Sequence, residues 1–248
     1  MYLSRLFLNP SNMQARRDIS DCHQLHRTVM KTFGNVDCDA EDGARETVGV
    51  LHRLDVNARH GRYMLIVQSA REPDWSVLPD GYVAASQPSS RGVSITDMEP
   101  SLEWVRSGAI LRFRLKANPT KKTGTMRHDE RIAGARKNNG KRIPVGGRKA
   151  RIKWLLDKGD QHGFEVLRVT EATPQPAEVE GDDHAAVTDR GGGIAHGYRK
   201  GVPLTLKGVI FDGLLRVVDQ EKLLNAIRTG IGSGKAFGFG LLSFAPAR

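Results

Sequence analysis

The sequence has only two cysteines, Cys22 and Cys38, in 248 residues. Two are too few for a disulfide framework and do not sit at a metal-binding spacing, so a reduced, cytoplasmic setting is expected. The eight histidines form no H-E-x-x-H or comparable pattern, and no structural or catalytic metal is expected. No apolar run approaches the roughly 18 residues that a membrane helix needs. The opening MYLSRLFLNP carries an arginine inside a short apolar stretch and lacks a small-residue cleavage site. It reads as a first strand and not as a signal peptide. Membrane attachment and small-molecule cofactors are therefore outside the expectation.

Acidic residues are in deficit too: 28 Asp and Glu stand against 38 Lys and Arg, for a net charge of +10. The imbalance is local. Residues 106–158 hold 17 basic side chains and three acidic ones, so this stretch is at +14 and the remainder near −4. Charge this concentrated favours a polyanionic partner, because each phosphate that is neutralised releases a counterion. The alternative is a solvated loop that happens to be basic, but strand-like sequence interrupts the charges, and nucleic acid is the better reading.

Hydrophobic periodicity organises the chain into two similar units. Residues 2–8 read as a strand. Asp18 to Ser20 give an N-cap signal, and Cys22, Leu25, Val29, Met30 and Phe33 recur at helical spacing before Gly34. VGVLHRLDVN (48–57) and RYMLIVQSA (62–70) form a hairpin pattern, followed by a Pro- and Ser-containing region and a weak apolar stretch near 101–105. The pattern then restarts with ILRFRLKANP (110–119), a basic glycine-rich loop (120–148), a short helix in KARIKWLLDKGD and a strand in FEVLRVTEA (164–172). A polar insertion (173–201), a long strand with room for a bulge (203–218), the helix QEKLLNAIRTG behind Asp219 and a last strand in FGLLSFAP complete it. The expected fold class is α+β: two tandem ferredoxin-like, RRM-like domains, at 1–106 and 107–248, a common platform for RNA.

GIGSGKAFGFGLL (230–242) joins the last helix to the last strand. It is not a nucleotide-hydrolysing phosphate loop, because Ala236 follows Gly234-Lys235 where Ser or Thr is required, and Thr229 holds the place of the first glycine. Its alternating glycines fit either a slack connector with a helix C-cap or, better, a backbone that something approaches closely. Lys235 is a candidate phosphate contact.

MYLSRLFL, DCHQLHRTVMKTF, LRFRLKANPTKKT, KRIPV, FDGLLRVVD and GIGSGKAFGFGLLSFAP together resemble the CRISPR repeat-processing endoribonucleases of the type I-E Cascade complex. The blocks run in the family's order almost from end to end, whereas 80–100 and 173–201 carry none of them. The resemblance implies two facing ferredoxin-like domains and a metal-independent cut at the 3′ base of a repeat stem-loop in precursor CRISPR RNA. It also implies retention on the product beside other Cascade subunits. The free chain is expected to be a monomer.

In the family, a histidine of the first helix takes part in a Tyr-x-x-His arrangement. His26 of HQLH matches that histidine, and His23 stands at the tyrosine position. Residues i and i+3 share a helix face, so His23 is either the second member of an acid–base pair or a group that orients the scissile phosphate. The resemblance assigns RNA positioning to Lys116, Asn118, Lys121 and Lys122 after the strand at 110, and to Arg142 in KRIPV. Arg199 and Lys200 precede the strand at 203 and are placed on a hairpin at the base of the stem. The altered tyrosine position leaves a second function class open, a non-catalytic scaffold subunit that binds the RNA hairpin.

Overall fold

The computed structural model describes residues 1–34, 48–57, 61–84, 92–122, 142–167, 187–199 and 201–247. β1 (Tyr2–Leu8) buries Ser4, Leu6 and Leu8 and leaves Arg5 in solvent, the period of a sheet covered on one face. Two helices follow where the periodicity indicates one. α1 (Met13–Ser20) is capped by Asn12, whose side chain accepts from Ala15 N at 3.0 Å. Asp21 is extended; it ends α1 and caps α2 (Cys22–Lys31), accepting from His23 N at 2.9 Å and Gln24 N at 3.1 Å. The N-cap expected at Asp18–Ser20 thus lies just beyond it.

Asp18 has a different task. It is fully buried, and its Oδ2 accepts from Thr28 Oγ1 at 2.6 Å and from the Tyr82 hydroxyl at 3.0 Å. One carboxylate thereby ties α1, α2 and the segment around Tyr82 together. Burial, reinforced by the Asp18 charge, pushes the Tyr82 phenol far above its ordinary range.

β2 (Leu51–Asn57) and β3 (Arg62–Ser69) form the expected hairpin, and the described part of the next connection holds one 3-10 turn, Trp75–Val77, where a full unit has its second helix. β4 (Val93–Asp97) completes an antiparallel sheet of order β2-β3-β1-β4. A short α3 (Glu99–Leu102) leads to β5 (Ile110–Ala117), β6 (Thr120–Lys122), β7 (Arg142–Pro144), α4 (Arg148–His162) and β8 (Phe164–Val166). β9 (Val187–Arg199), β10 (Val202–Val217), α5 (Gln220–Thr229) and β11 (Leu242–Pro246) follow. The second sheet runs β11-β5-β10-β8. Both sheets keep their unit's first and third strands central and its second and fourth at the edges, the order of a ferredoxin-like unit. The fold is α+β with two such units in tandem.

Each unit has its own core: Leu6, Leu25, Val29, Met30, Leu65 and Val67 in one, Leu115, Phe211, Leu215, Leu223 and Ile227 in the other. Polar contacts join the two units. Gln68 Nε2 donates to Ile227 O at 2.7 Å, and Arg53, paired with Asp55 at 2.9 Å, reaches Ser243 Oγ at 2.9 Å.

Two expectations change. The stretch read as a polar insertion supplies the 13-residue β9, paired along β10 with a register shift between Lys207 and Val209. That shift is the bulge anticipated in the 203–218 strand. The basic loop at 120–148 contains the β6–β7 ribbon, paired from Thr120 with Pro144 to Lys122 with Arg142. Its residues 123–141 lie outside the described ones, as do 168–172 of the anticipated 164–172 strand and Cys38.

Candidate active site

α2 carries both singled-out histidines, and the elements around it separate their surroundings. The His26 ring stacks on that of His52 from β2, with centroids 5.8 Å apart and planes 16° from parallel. His26 is 7% exposed. His23 is half-buried and turns to Phe237, its ring 6.3 Å away and tilted 45°. Its Nδ1 is buried and has no hydrogen-bond partner among the described residues. The helix N-terminus also lies under β9: a Cβ added to Gly197 would sit 2.8 Å from Asp21 Oδ1 and 3.2 Å from Cys22 Sγ. Burial, then the Asp21 charge, raises the Cys22 thiol pKa to about 11, so the thiol stays protonated at neutral pH.

The glycine-rich segment forms the other wall. It includes a 3-10 turn, Lys235–Phe237, and its five glycines all have φ between 78° and 90°, a region that other residues adopt only with strain. The close approach is to protein. A Cβ on Gly230 would lie 2.7 Å from Leu51 Cδ2, and one on Gly238 would lie 3.7 Å from the His52 ring. The loop seats itself against β2 and α2, so the alternation of glycine has a packing cause.

Most of the cations proposed for RNA gather beside this loop. Lys121 and Lys122 are exposed on β6, with Arg142 opposite on β7. Arg142 donates to Thr120 Oγ1 at 3.3 Å, the Thr120 and Ser233 hydroxyls are 3.1 Å apart, and Ser233 Oγ donates to Asn118 O at 3.1 Å. This chain of contacts anchors the ribbon to the loop. Burial lowers the pKa of Lys158 and His162; Arg142 adds to the effect on Lys158, and Lys158 and Lys235 add to it on His162. A cationic field therefore surrounds the half-buried Lys235.

Lys116 is half-buried and Asn118 buried, both engaged within the protein. Lys116 donates to Leu54 O at 3.3 Å, with its ammonium 5.6 Å from the Phe239 ring centre, and burial lowers its pKa against the opposing pull of Asp55. Asn118 is 5% exposed and pairs by a backbone bridge with Ser233. Arg199 ends β9 at the hairpin turn, opposite Val202. Lys200 lies outside the described residues.

The family described as CRISPR associated protein matches residues 1–246. The chain belongs to this family. It is 33% identical over 246 residues to the CRISPR-associated endoribonuclease Cse3 of Thermus thermophilus, spanning 99% of this chain and 100% of that one. The Cascade subunit CasE of Escherichia coli is 26% identical, with 99% and 100% covered. Thermus thermophilus Cse3 bound to an RNA representing a pre-cleavage complex superposes with a TM-score of 0.71 at 31% identity, covering 99% of this chain and 98% of that one.

In this CRISPR-associated protein, the fold brings His26 together with His52, and His23 with Phe237, residues that the spacing in HQLH does not reveal. His52 gives no signal of its own, being one histidine of a strand-like run. Phe237 was visible only as part of the glycine-rich block. Among the described residues, no group of three His, Cys, Asp or Glu side chains is placed to hold a metal ion, and no helix is long and apolar enough to cross a membrane.

Proposed function

We propose that this chain is a metal-independent endoribonuclease of the cytoplasm that cuts the repeat stem-loop of precursor CRISPR RNA and remains on the product as a Cascade subunit. The full-length kinship with Cse3, a named endoribonuclease, carries the reading. The ribose 2′-oxygen attacks phosphorus and the bond to the 5′-oxygen breaks. One proton leaves the 2′-hydroxyl and one reaches the 5′-oxygen, so the products are a 2′,3′-cyclic phosphate and a 5′-hydroxyl. Histidine serves either transfer, since its ordinary pKa of about 6.5 keeps both forms available. His26 takes one transfer, and His23 either takes the other or orients the phosphate.

We assign the catalytic helix to a domain of residues 1–106, and the basic ribbon and glycine-rich loop to a domain of residues 107–248; each has its own core, with Leu102 and Val105 at the end of the first packing into the second. Lys121, Lys122, Arg142 and Lys235, with Arg199 and Lys200 at the hairpin turn, hold the phosphates. Lys116 and Asn118 act one step back, fixing the strand and loop that present them. Such contacts set register without reading sequence. Replacing Lys121, Lys122 and Arg142 together by alanine is expected to flatten the plot of log affinity against log salt by about 2 to 3. An unchanged slope in a hairpin-binding titration removes these residues from the RNA path.

A second reading has one observation in its favour. With 7% of His26 exposed, a scaffold that binds the hairpin without cutting it fits the closed ring, whereas catalysis requires the RNA to part α2 from the elements over it. Incubation with the cognate repeat hairpin in EDTA separates the two. Cleavage to a cyclic phosphate is expected; tight binding of intact RNA would establish the scaffold instead.

A further inference from the structure

His52 lies on the edge strand β2, where α2 and the glycine-rich loop meet. Its side chain is 1% exposed. The 5.8 Å separation and 16° tilt of its ring against His26 form an offset stack within the range that aromatic pairs favour. The loop comes close to the same ring: a Cβ on Gly238 would be 3.7 Å from both Cδ2 and Nε2 of His52. Two other elements, α2 and the loop, therefore meet the imidazole that β2 carries.

From this geometry we infer that His52 is a positioning residue for the cleavage reaction, setting the plane and depth of the His26 ring. The inference rests on the assignment of His26 as a proton-transfer group. A histidine ring on a helix has a broad χ2 preference, and rotation about that bond swings both nitrogens away from a ribose hydroxyl. A flat partner stacked on one face removes that freedom. Orientation of this kind matters because misplacement by about 1 Å costs as much as 10²-fold in rate. The neighbouring loop makes the device dependent on the whole fold, since Gly238 lies within van der Waals reach of His52 and β2 carries it.

Single-turnover cleavage and hairpin binding, measured on wild type, His52→Ala and His52→Phe, test the assignment, with thermal melting as a check on folding. His52→Ala is expected to slow cleavage roughly 10- to 100-fold with hairpin affinity unchanged. His52→Phe, which keeps a flat face and loses both nitrogens, is expected to restore most of the rate. Full activity in His52→Ala overturns the inference. So does a folded His52→Phe variant as slow as His52→Ala, because the ring nitrogens would then be doing chemistry of their own. If His52→Ala fails to fold, the rate of His52→Phe decides alone. Wild type that binds but never cuts brings down the endonuclease reading, and this role with it; wild type that cuts beside a fully active His52→Ala brings down only this role.

Discussion

His26→Ala is expected to lower the single-turnover rate of hairpin cleavage by roughly 10²- to 10⁴-fold, the usual contribution of a positioned general acid or base, with hairpin affinity intact. Binding survives because the cations assigned to phosphate lie on other elements: Lys121 and Lys122 on β6 and Arg142 on β7. A 2′-deoxy nucleotide at the cut site should bind as well and not react at all, since the attacking oxygen is gone. Together the two measurements separate loss of the proton carrier from loss of the nucleophile. Undiminished cutting by His26→Ala moves the role to another side chain. His23→Tyr belongs in the same series. The His23 ring lies against Phe237 at 6.3 Å, a place from which a tyrosine can orient a phosphate, so activity should persist. A loss as large as that of His26→Ala would make His23 the second proton carrier.

The sequence made the fold legible wherever periodicity and punctuation agree. β1 alternates, the two strands of the 48–70 hairpin pair from Leu51 with Gln68 to Asn57 with Arg62, and Asp219 caps α5 as written, accepting from Lys222 N at 3.0 Å. α1 was hidden because its inward face is made by Ala15 and Asp18. A hydrophobic pattern cannot see a buried carboxylate, whose burial is made tolerable by the adjacent Arg17 on one oxygen and by Thr28 and Tyr82, distant in sequence, on the other. β9 was hidden for the opposite reason. VTDRGGGIAHGYR has four glycines, poor strand formers, and its order comes from the ladder with β10.

The site was legible in part and for similar reasons. HQLH declares two imidazoles on one helix face. It does not declare His52, which reaches the same place from a strand through β2–α2 packing. Charge counting located the basic stretch but gave no direction to its side chains. On β5, Lys116 points into the seam between the sheets, while Lys121 and Lys122, beyond Asn118 and Pro119, are exposed. The glycine spacing signalled close approach, and only the fold names Leu51 and Trp154 as what is approached.

Gly197→Val should disable the enzyme without unfolding it. Gly197 is a strand residue, and its need for glycine is space alone. A Cβ there meets Asp21 Oδ1 at 2.8 Å, Cys22 Sγ at 3.2 Å and His23 N at 3.3 Å. The first distance is shorter than real Cβ contacts allow, and that oxygen is already committed to capping α2. Either the cap yields, at about 1 kcal/mol, or the β9–β10 hairpin lifts from the helix. Both outcomes shift His23 and His26 against the hairpin that carries Arg199. Neither touches Leu115, Phe211, Leu65 or Val67, so the two cores and the melting temperature should hold nearly constant. The expected cost is on the order of 10²-fold in single-turnover rate, the scale of a displaced catalytic group, with a smaller loss for Gly197→Ala. Where the hairpin lifts, the N-terminal turn of α2 is uncovered, and Cys22 should then react faster with a thiol reagent in the variant than in wild type. Wild-type cleavage together with unchanged Cys22 labelling would mean that the hairpin does not rest on this helix in solution.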